Sequence, residues 1–221
     1  MRLFIGALAL ASVMFCLAVE RKSKVPKHRP TRIITIAYLL DGEGFDAENA
    51  TLDSQVGKWL KGVQEKAQVD LKKEFKLDIT FNITEINITD NDITDKIQYW
   101  SSDSLIHGPT FLDYLEKYYR NRDNPDIICV VTRYKMYDSD DVDYLAYVHH
   151  TTLCHTMVPM LLTYVPEKEV KTGELLFKLV QRSTTSNQGR WGRYFKNCNK
   201  PKKVKKTKSR QSIQFSLNRS K

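Results

Sequence analysis

Cysteine is scarce in this sequence, with Cys16, Cys129, Cys154 and Cys198 as the four cysteines among 221 residues. Loss of Cys16 with the N-terminal segment described below leaves three, an odd number for a secreted chain. Cys129 lies in the apolar run Ile127–Val131, which is typical of a buried, unpaired thiol. Cys154 and Cys198 are therefore predicted to form a disulfide. A three-cysteine metal site is the alternative, but the spacings of 25 and 44 residues fit no zinc template.

The sequence has one long apolar run, and it lies at the N-terminus. Arg2 precedes the run Leu3–Leu17 and the small residue Ala18 follows it, a pattern typical of a secretory signal over residues 1–18. No other apolar run approaches the length that a membrane span requires. The sequence predicts a secreted, extracellular protein without a transmembrane segment.

Two segments near the ends of the chain, residues 21–32 and 190–221, contain no acidic side chain. Residues 21–32 carry six lysines and arginines, and residues 190–221 carry twelve. Residues 33–189, in contrast, have 16 basic and 25 acidic side chains. The net charge of +9 thus combines an acidic body with two cationic ends.

Between a basic disordered arm at residues 19–31 and a basic disordered tail at residues 199–221, residues 32–198 show the patterns of one folded domain. Predicted strands cover residues 32–40, 76–86, 126–132 and 144–148, and predicted helices cover residues 51–73, 109–119 and 172–184. The polar residues 87–103 are predicted to be a loop. This order predicts an α/β domain with a largely parallel twisted sheet and flanking helices.

Four asparagines begin an Asn-x-Ser/Thr sequon, and three of them, Asn49, Asn82 and Asn87, lie within forty residues. Asn82 falls on the polar face of the alternating strand 76–86, where a glycan has room. We predict N-glycosylation at these three positions, with chance occurrence of a common triplet as the alternative. The fourth sequon, at Asn218, lies in the tail.

The second half of the chain contains a buried strand, an Ala-Tyr-Val segment before a cysteine, and a helix, in that order. Residues 126–132 are typical of a buried strand, Ala-Tyr-Val at 146–148 precedes Cys154, and a helix at 172–184 comes next. This order resembles the catalytic half of reprolysin-type zinc metalloproteases, the secreted metzincins of venoms and tick saliva. The resemblance covers roughly residues 32–200 and implies a metzincin-like upper subdomain.

The helix lacks the metal-binding motif of that family. No His-Glu-x-x-His occurs in the chain, and the register set by Phe177 places Lys178, Leu179 and Arg182 at the His, Glu and His positions. That motif needs two imidazoles one turn apart and a Glu that deprotonates metal-bound water. We therefore expect no catalytic residues and no cofactor. An active zinc metalloendopeptidase with a diverged site is the alternative, and only that alternative requires zinc.

The missing ligands and the short chain resemble the metastriate 28 kDa family of tick salivary proteins. That resemblance implies a secreted pseudoenzyme at the host interface, directed against haemostasis or immunity through an unknown host protein. A structural glycoprotein that binds nothing is a further alternative. We expect a monomer.

His149, His150 and His155 are the remaining candidate metal ligands. They follow a strand and lack the i, i+4 spacing of helical ligands, so loop imidazoles are the favoured interpretation and adventitious zinc is the alternative. The acidic residues between Asp138 and Asp143 lack the turn glycine and the terminal glutamate of an EF-hand loop. They predict a solvated loop rather than a calcium site.

The densest charge run spans residues 200–210. Its seven basic residues are Lys200, Lys202, Lys203, Lys205, Lys206, Lys208 and Arg210. The run has no interleaved aromatic residues for base stacking, so nucleic acid is not an expected partner. It predicts binding to an anionic surface or a glycosaminoglycan, and a merely solubilising tail is the alternative.

Overall fold

A computed structural model describes residues 31–185 and 190–200. In chain order, its elements are β1 (Arg32–Leu40), α1 (Gln55–Phe75), β2 (Ile79–Ile88), α2 (Asn91–Tyr99), β3 (Ser101–Ser102), β4 (Leu105–His107), α3 (Gly108–Tyr119), β5 (Ile127–Thr132), β6 (Lys135–Tyr137), β7 (Ala146–Tyr147), β8 (Val158–Thr163), α4 (Glu169–Arg182), α5 (Trp191–Tyr194) and a 3-10 turn (Phe195–Asn197).

The central sheet has five strands in the order β2-β1-β5-β8-β7. The first four run parallel, and β7 pairs antiparallel with β8 at one edge. Every residue of β5 and β8 is buried, as expected for parallel strands covered by helices on both faces. This architecture confirms the predicted α/β class with a largely parallel sheet. A second, small sheet joins β3, β4 and β6.

Two apolar layers cover the two faces of the central sheet. Helices α1 and α4 contribute to one layer, and α2 and α3 contribute to the other. Alternate residues of the same strand supply both: Tyr38 and Cys129 belong to the α1/α4 layer, whereas Leu39 and Val130 belong to the α2/α3 layer. Helices α3 and α4 therefore lie on opposite faces of the sheet.

The sequence prediction missed β8, the strand that lies between β5 and β7. Pro159 argues against a central strand because proline donates no ladder hydrogen bond. In the structure β7 pairs only with Leu161 and Leu162, so Pro159 lies beyond the part of β8 that has a partner on that side. The predicted strand 144–148 is correspondingly reduced to Ala146–Tyr147.

The prediction of a loop over residues 87–103 was also wrong. Strand β2 continues to Ile88, and α2 follows it, with Asp90 as the N-cap residue that accepts a hydrogen bond from the Ile93 amide. Ile93 and Ile97, one turn apart, bury this helix against the sheet. They are the two fully buried residues of α2.

No helix within residues 31–185 and 190–200 is long and apolar enough to cross a bilayer. The predicted signal at residues 1–18 lies outside the described residues. So do the arm apart from Thr31 and the tail apart from Asn199 and Lys200.

Candidate functional site

Helix α4 carries the positions at which the family resemblance implies a zinc site. Leu179 is 2% exposed and packs in the α1/α4 layer, whereas Lys178 and Arg182 are exposed. The two cationic side chains offer no lone pair to a metal ion, and a leucine in the core takes no proton. The donor set of α4 does not fit zinc, and no hydrolytic step is derived through it.

A different group of donors lies on the opposite side of the sheet. Asp113 of α3 meets His149 and His150, the two residues that follow Val148 at the end of β7, and their ligand atoms all lie within 4.8 Å of one another. Asp113 Oδ1 lies 3.0 Å from His149 Nε2 and 3.8 Å from His150 Nε2. We call these three residues the His–Asp cluster.

The two imidazoles of the His–Asp cluster differ in their surroundings. Burial lowers the pKa of His150, and the neighbouring His149 adds to that effect. The carboxylate of Asp113 opposes the shift. The ring of His150 also donates a hydrogen bond to the backbone carbonyl of Leu112, while its Nε2 is buried without a hydrogen-bond partner among the described residues. Burial therefore disfavours the protonated ring of His150.

His155, the third histidine singled out by the sequence, is not part of this cluster. Its ring packs 5.5 Å from the ring of Tyr194, beside the disulfide that joins Cys154 to Cys198. Cys129 is free and buried.

The sequence offered no signal for Asp113, because 36 residues separate it from His149 and only the packing of α3 brings them together.

In the acidic loop between β6 and β7, both carboxylate oxygens of Asp138 accept hydrogen bonds from neighbouring groups. Asp138 Oδ1 accepts hydrogen bonds from the amides of Asp140 and Asp141, and its Oδ2 accepts one from the Tyr147 hydroxyl. These hydrogen bonds lower the pKa of Asp138. Asp143 pairs with Lys135. The arrangement is an exposed, hydrogen-bonded turn.

The start of β1 and the end of the described chain meet at one corner of the fold. Asp126 is fully buried, and its Oδ2 accepts hydrogen bonds from the Thr35 amide, the Thr35 hydroxyl and the Asn199 amide at 2.8–2.9 Å. The disulfide of Cys198 holds the same segment to the domain. Residues 31–33 and 195–200 therefore have fixed positions next to each other.

A pocket of about 230 Å³ opens at this corner. Its lining combines the cationic residues Arg32, Lys196 and Lys200 with Thr31, Ile33, Phe195, Cys198 and Asn199, and includes no carboxylate. Arg32 Nε is buried without a hydrogen-bond partner among the described residues. We call this group the basic corner. Of the predicted polyanion-binding residues it contains Lys200, whereas Lys202, Lys203, Lys205, Lys206, Lys208 and Arg210 lie outside the described residues.

The three predicted glycosylation positions lie on accessible surface. Asn82 and Asn87 are exposed on β2, the edge strand opposite β7. A shift in the pairing of β1 and β2 at Ile36/Ala37 places both asparagines on the same face of the sheet, although five residues separate them. Asn49 is half-buried, and its side chain accepts a hydrogen bond from the Asp46 amide.

Comparisons with known proteins leave the family open. No protein-family model matches the sequence, and no curated protein matches it either. Among solved structures, the fold is similar to archaemetzincin from Methanopyrus kandleri, with a TM-score of 0.42 and 9% identity. That similarity covers 72% of this chain and 76% of archaemetzincin. A likeness this distant carries no argument about activity.

Proposed function

We propose that this chain is a secreted glycoprotein that acts by binding rather than by peptide hydrolysis, and that its basic corner binds a sulfated polyanion. The observation that carries the proposal is the convergence of Arg32, Lys196 and Lys200 on one pocket. In the secreted chain, residues 19–30 precede Thr31 and residues 201–221 follow Lys200, and both Thr31 and Lys200 line that pocket. The cationic runs of both ends are therefore tethered to a single place on an otherwise acidic body.

Tethering two cationic segments beside a fixed cationic pocket favours a long anion over a small one. A polyanion that contacts the basic corner meets the basic side chains of residues 21–29 and 202–210 at high effective concentration. Binding then releases counterions from the polyanion and depends steeply on salt. The attraction of the acidic body for its own ends is screened within about 8 Å at physiological salt, so the dense charge of a polyanion competes well.

Helix α4 supports a role without catalysis. Restoring the family's zinc chemistry would require donor side chains at Lys178, Leu179 and Arg182, and the structure gives those positions to two exposed cations and one core residue. The resemblance to tick salivary proteins supports a site of action at the host interface, where sulfated glycosaminoglycans are abundant extracellular polyanions.

Heparin retention of the full secreted chain tests the polyanion. We expect Lys196→Glu together with Lys200→Glu to lower the salt concentration at which the protein elutes. The matched control is Lys61→Glu with Lys73→Glu, which makes the same change in net charge on exposed positions of α1. Equal elution of the two double variants would show that overall charge, and not the basic corner, sets retention.

Two further measurements separate the alternatives. Retention by phosphatidylserine vesicles without retention by heparin would identify an anionic lipid surface as the ligand instead. The absence of catalysis is tested by incubating purified protein with casein and fibrinogen in the presence of zinc, for which we expect no cleavage. Chelator-sensitive proteolysis would contradict the proposal.

A further inference from the structure

The His–Asp cluster has the composition of a metal site. Imidazole nitrogen and carboxylate oxygen are ordinary ligands of zinc and related ions, with bonds of about 2.0–2.2 Å. In a tetrahedral site with such bonds, neighbouring ligand atoms stand roughly 3.3 Å apart. The two separations from Asp113 Oδ1, 3.0 Å to His149 Nε2 and 3.8 Å to His150 Nε2, lie on either side of that value.

The rings of the two histidines are arranged so that they can serve one ion. Their centroids are 4.2 Å apart, and both Nε2 atoms lie within 4 Å of the same carboxylate oxygen, Asp113 Oδ1. The His150 ring also interacts with the backbone carbonyl of Leu112, on the helix that carries Asp113. A hydrogen bond from the second ring nitrogen to a backbone carbonyl is the usual way in which proteins orient a histidine ligand.

The contact between His149 and Asp113 is compatible with the same ion. At present a hydrogen bond joins His149 Nε2 to Asp113 Oδ1. A metal ion needs the lone pair of that nitrogen, so binding selects the tautomer of His149 that carries its proton on Nδ1. An ion between the three groups then replaces that hydrogen bond.

We propose that Asp113, His149 and His150 bind one divalent transition-metal ion, with zinc as the ion that suits two imidazoles and a carboxylate. The inference is independent of the basic corner, and it departs from the sequence-based expectation that the chain holds no metal. It also differs from the site that the family resemblance implies, because the ligands come from α3 and the end of β7 instead of from α4.

Three protein ligands leave a fourth position open. The side chains of Asp113 and His149 are 56% and 32% exposed, so solvent can reach the fourth position, although His150 Nε2 is itself buried. Water, or a donor side chain of a bound partner, can occupy it. The ion would also fasten the end of the edge strand β7 to α3, and thereby restrain the chain between Val148 and Val158.

Zinc titration of the full secreted chain after chelator treatment tests this site. We expect one equivalent of Zn²⁺ to bind, and Co²⁺ to give the visible absorption bands of a four- or five-coordinate ion. Asp113→Asn and His149→Gln should each weaken binding more than about tenfold, because loss of a supporting group alone typically weakens a site 10–100-fold. At a free zinc concentration 100 times the dissociation constant, the melting temperature should rise by about 5–10 °C.

Asp95→Asn with His155→Gln is the matched control, since it removes one exposed carboxylate and one exposed imidazole elsewhere on the domain. The control variant should keep the affinity and the rise in melting temperature. Amide exchange adds a readout of the fastening: zinc should slow exchange in residues 146–153 and 110–116 of the unmodified chain. The proposal fails if the unmodified chain binds no zinc, or if the cluster variants bind it as tightly as the control variant does.

Discussion

Helices α3 and α4 cover opposite faces of the same sheet, but they differ in their metal-ligating groups. A carboxylate of α3 lies beside two imidazoles, whereas the corresponding positions of α4 carry no such ligands. On α4, the three positions that correspond to the zinc-binding motif are Lys178, Leu179 and Arg182. Lys178 and Arg182 are exposed to solvent, and Leu179 is buried in the core. On α3, Asp113 lies within hydrogen-bond distance of a histidine that is 36 residues away in the chain.

The difference shows how a scaffold can keep its architecture while its donor groups lie elsewhere. A helical motif such as His-Glu-x-x-His places its ligands by the period of one helix, so it is visible in sequence and is lost by a few substitutions. The His–Asp cluster is placed by the packing of α3 against the sheet beside the end of β7. The following predictions test whether α4 contributes to stability through core packing. They also test whether the His–Asp cluster contributes to stability when no metal ion is bound.

The largest effect is expected from an attempt to restore the motif on α4. Leu179→Glu removes an apolar side chain from the α1/α4 layer and places a carboxylate there, at a cost of roughly 4 kcal/mol or more in the free energy of unfolding. Chemical denaturation measures it. Lys178→His with Arg182→His alters only exposed positions and should change stability by about 0.5 kcal/mol or less. If Leu179→Glu were as mild as that pair, α4 would not be committed to the core.

The disulfide should rank next. It belongs to the α1/α4 layer and closes a loop between residues 44 apart, for which loop entropy predicts roughly 4 kcal/mol and measured bridges usually give about 2–4. Cys154→Ala with Cys198→Ala should lower the unfolding free energy by that amount. Peptide mapping of the unmodified protein should find the Cys154–Cys198 bridge and an unmodified Cys129, because burial raises the pKa of its thiol and suppresses alkylation. A bridge that contains Cys129 would contradict this assignment.

The sequence predicted the α/β class because the buried strands β1 and β5 are continuous apolar runs and α1 has a clear helical period. It missed β8 because Pro159 breaks the usual rule for central strands. The His–Asp cluster and the basic corner could not be predicted because their residues come together only through the fold. Both depend on residues far apart in the chain, and neither Asp113 nor Lys196 lies in a local pattern that marks it as functional.

A smaller effect is expected at the buried carboxylate below the basic corner. Asp126→Asn replaces the carboxyl group, whose Oδ2 accepts two hydrogen bonds from Thr35 and one from Asn199, by an amide, and should destabilise the fold by about 1–3 kcal/mol. Because Asn199 precedes Lys200, the same change should also lower the salt concentration of heparin elution. Thr35→Ser keeps the hydroxyl donor and serves as the control. Unchanged heparin elution with lowered stability would show that Asp126 supports the sheet but does not position the corner.

The smallest effect is expected for Asp113→Asn in the presence of a chelator. Asp113 is 56% exposed, and an exposed pair of a carboxylate and an imidazole typically contributes 0–1 kcal/mol, so we expect a loss of about 0.5 kcal/mol or less. The same substitution should remove the zinc-dependent rise in melting temperature, so its effect should be large with zinc and small without it. That pattern separates a metal ligand from a structural ion pair, because an ion pair loses the same stability under both conditions. An equal loss with and without zinc would mean that α3, like α4, contributes only packing and surface charge.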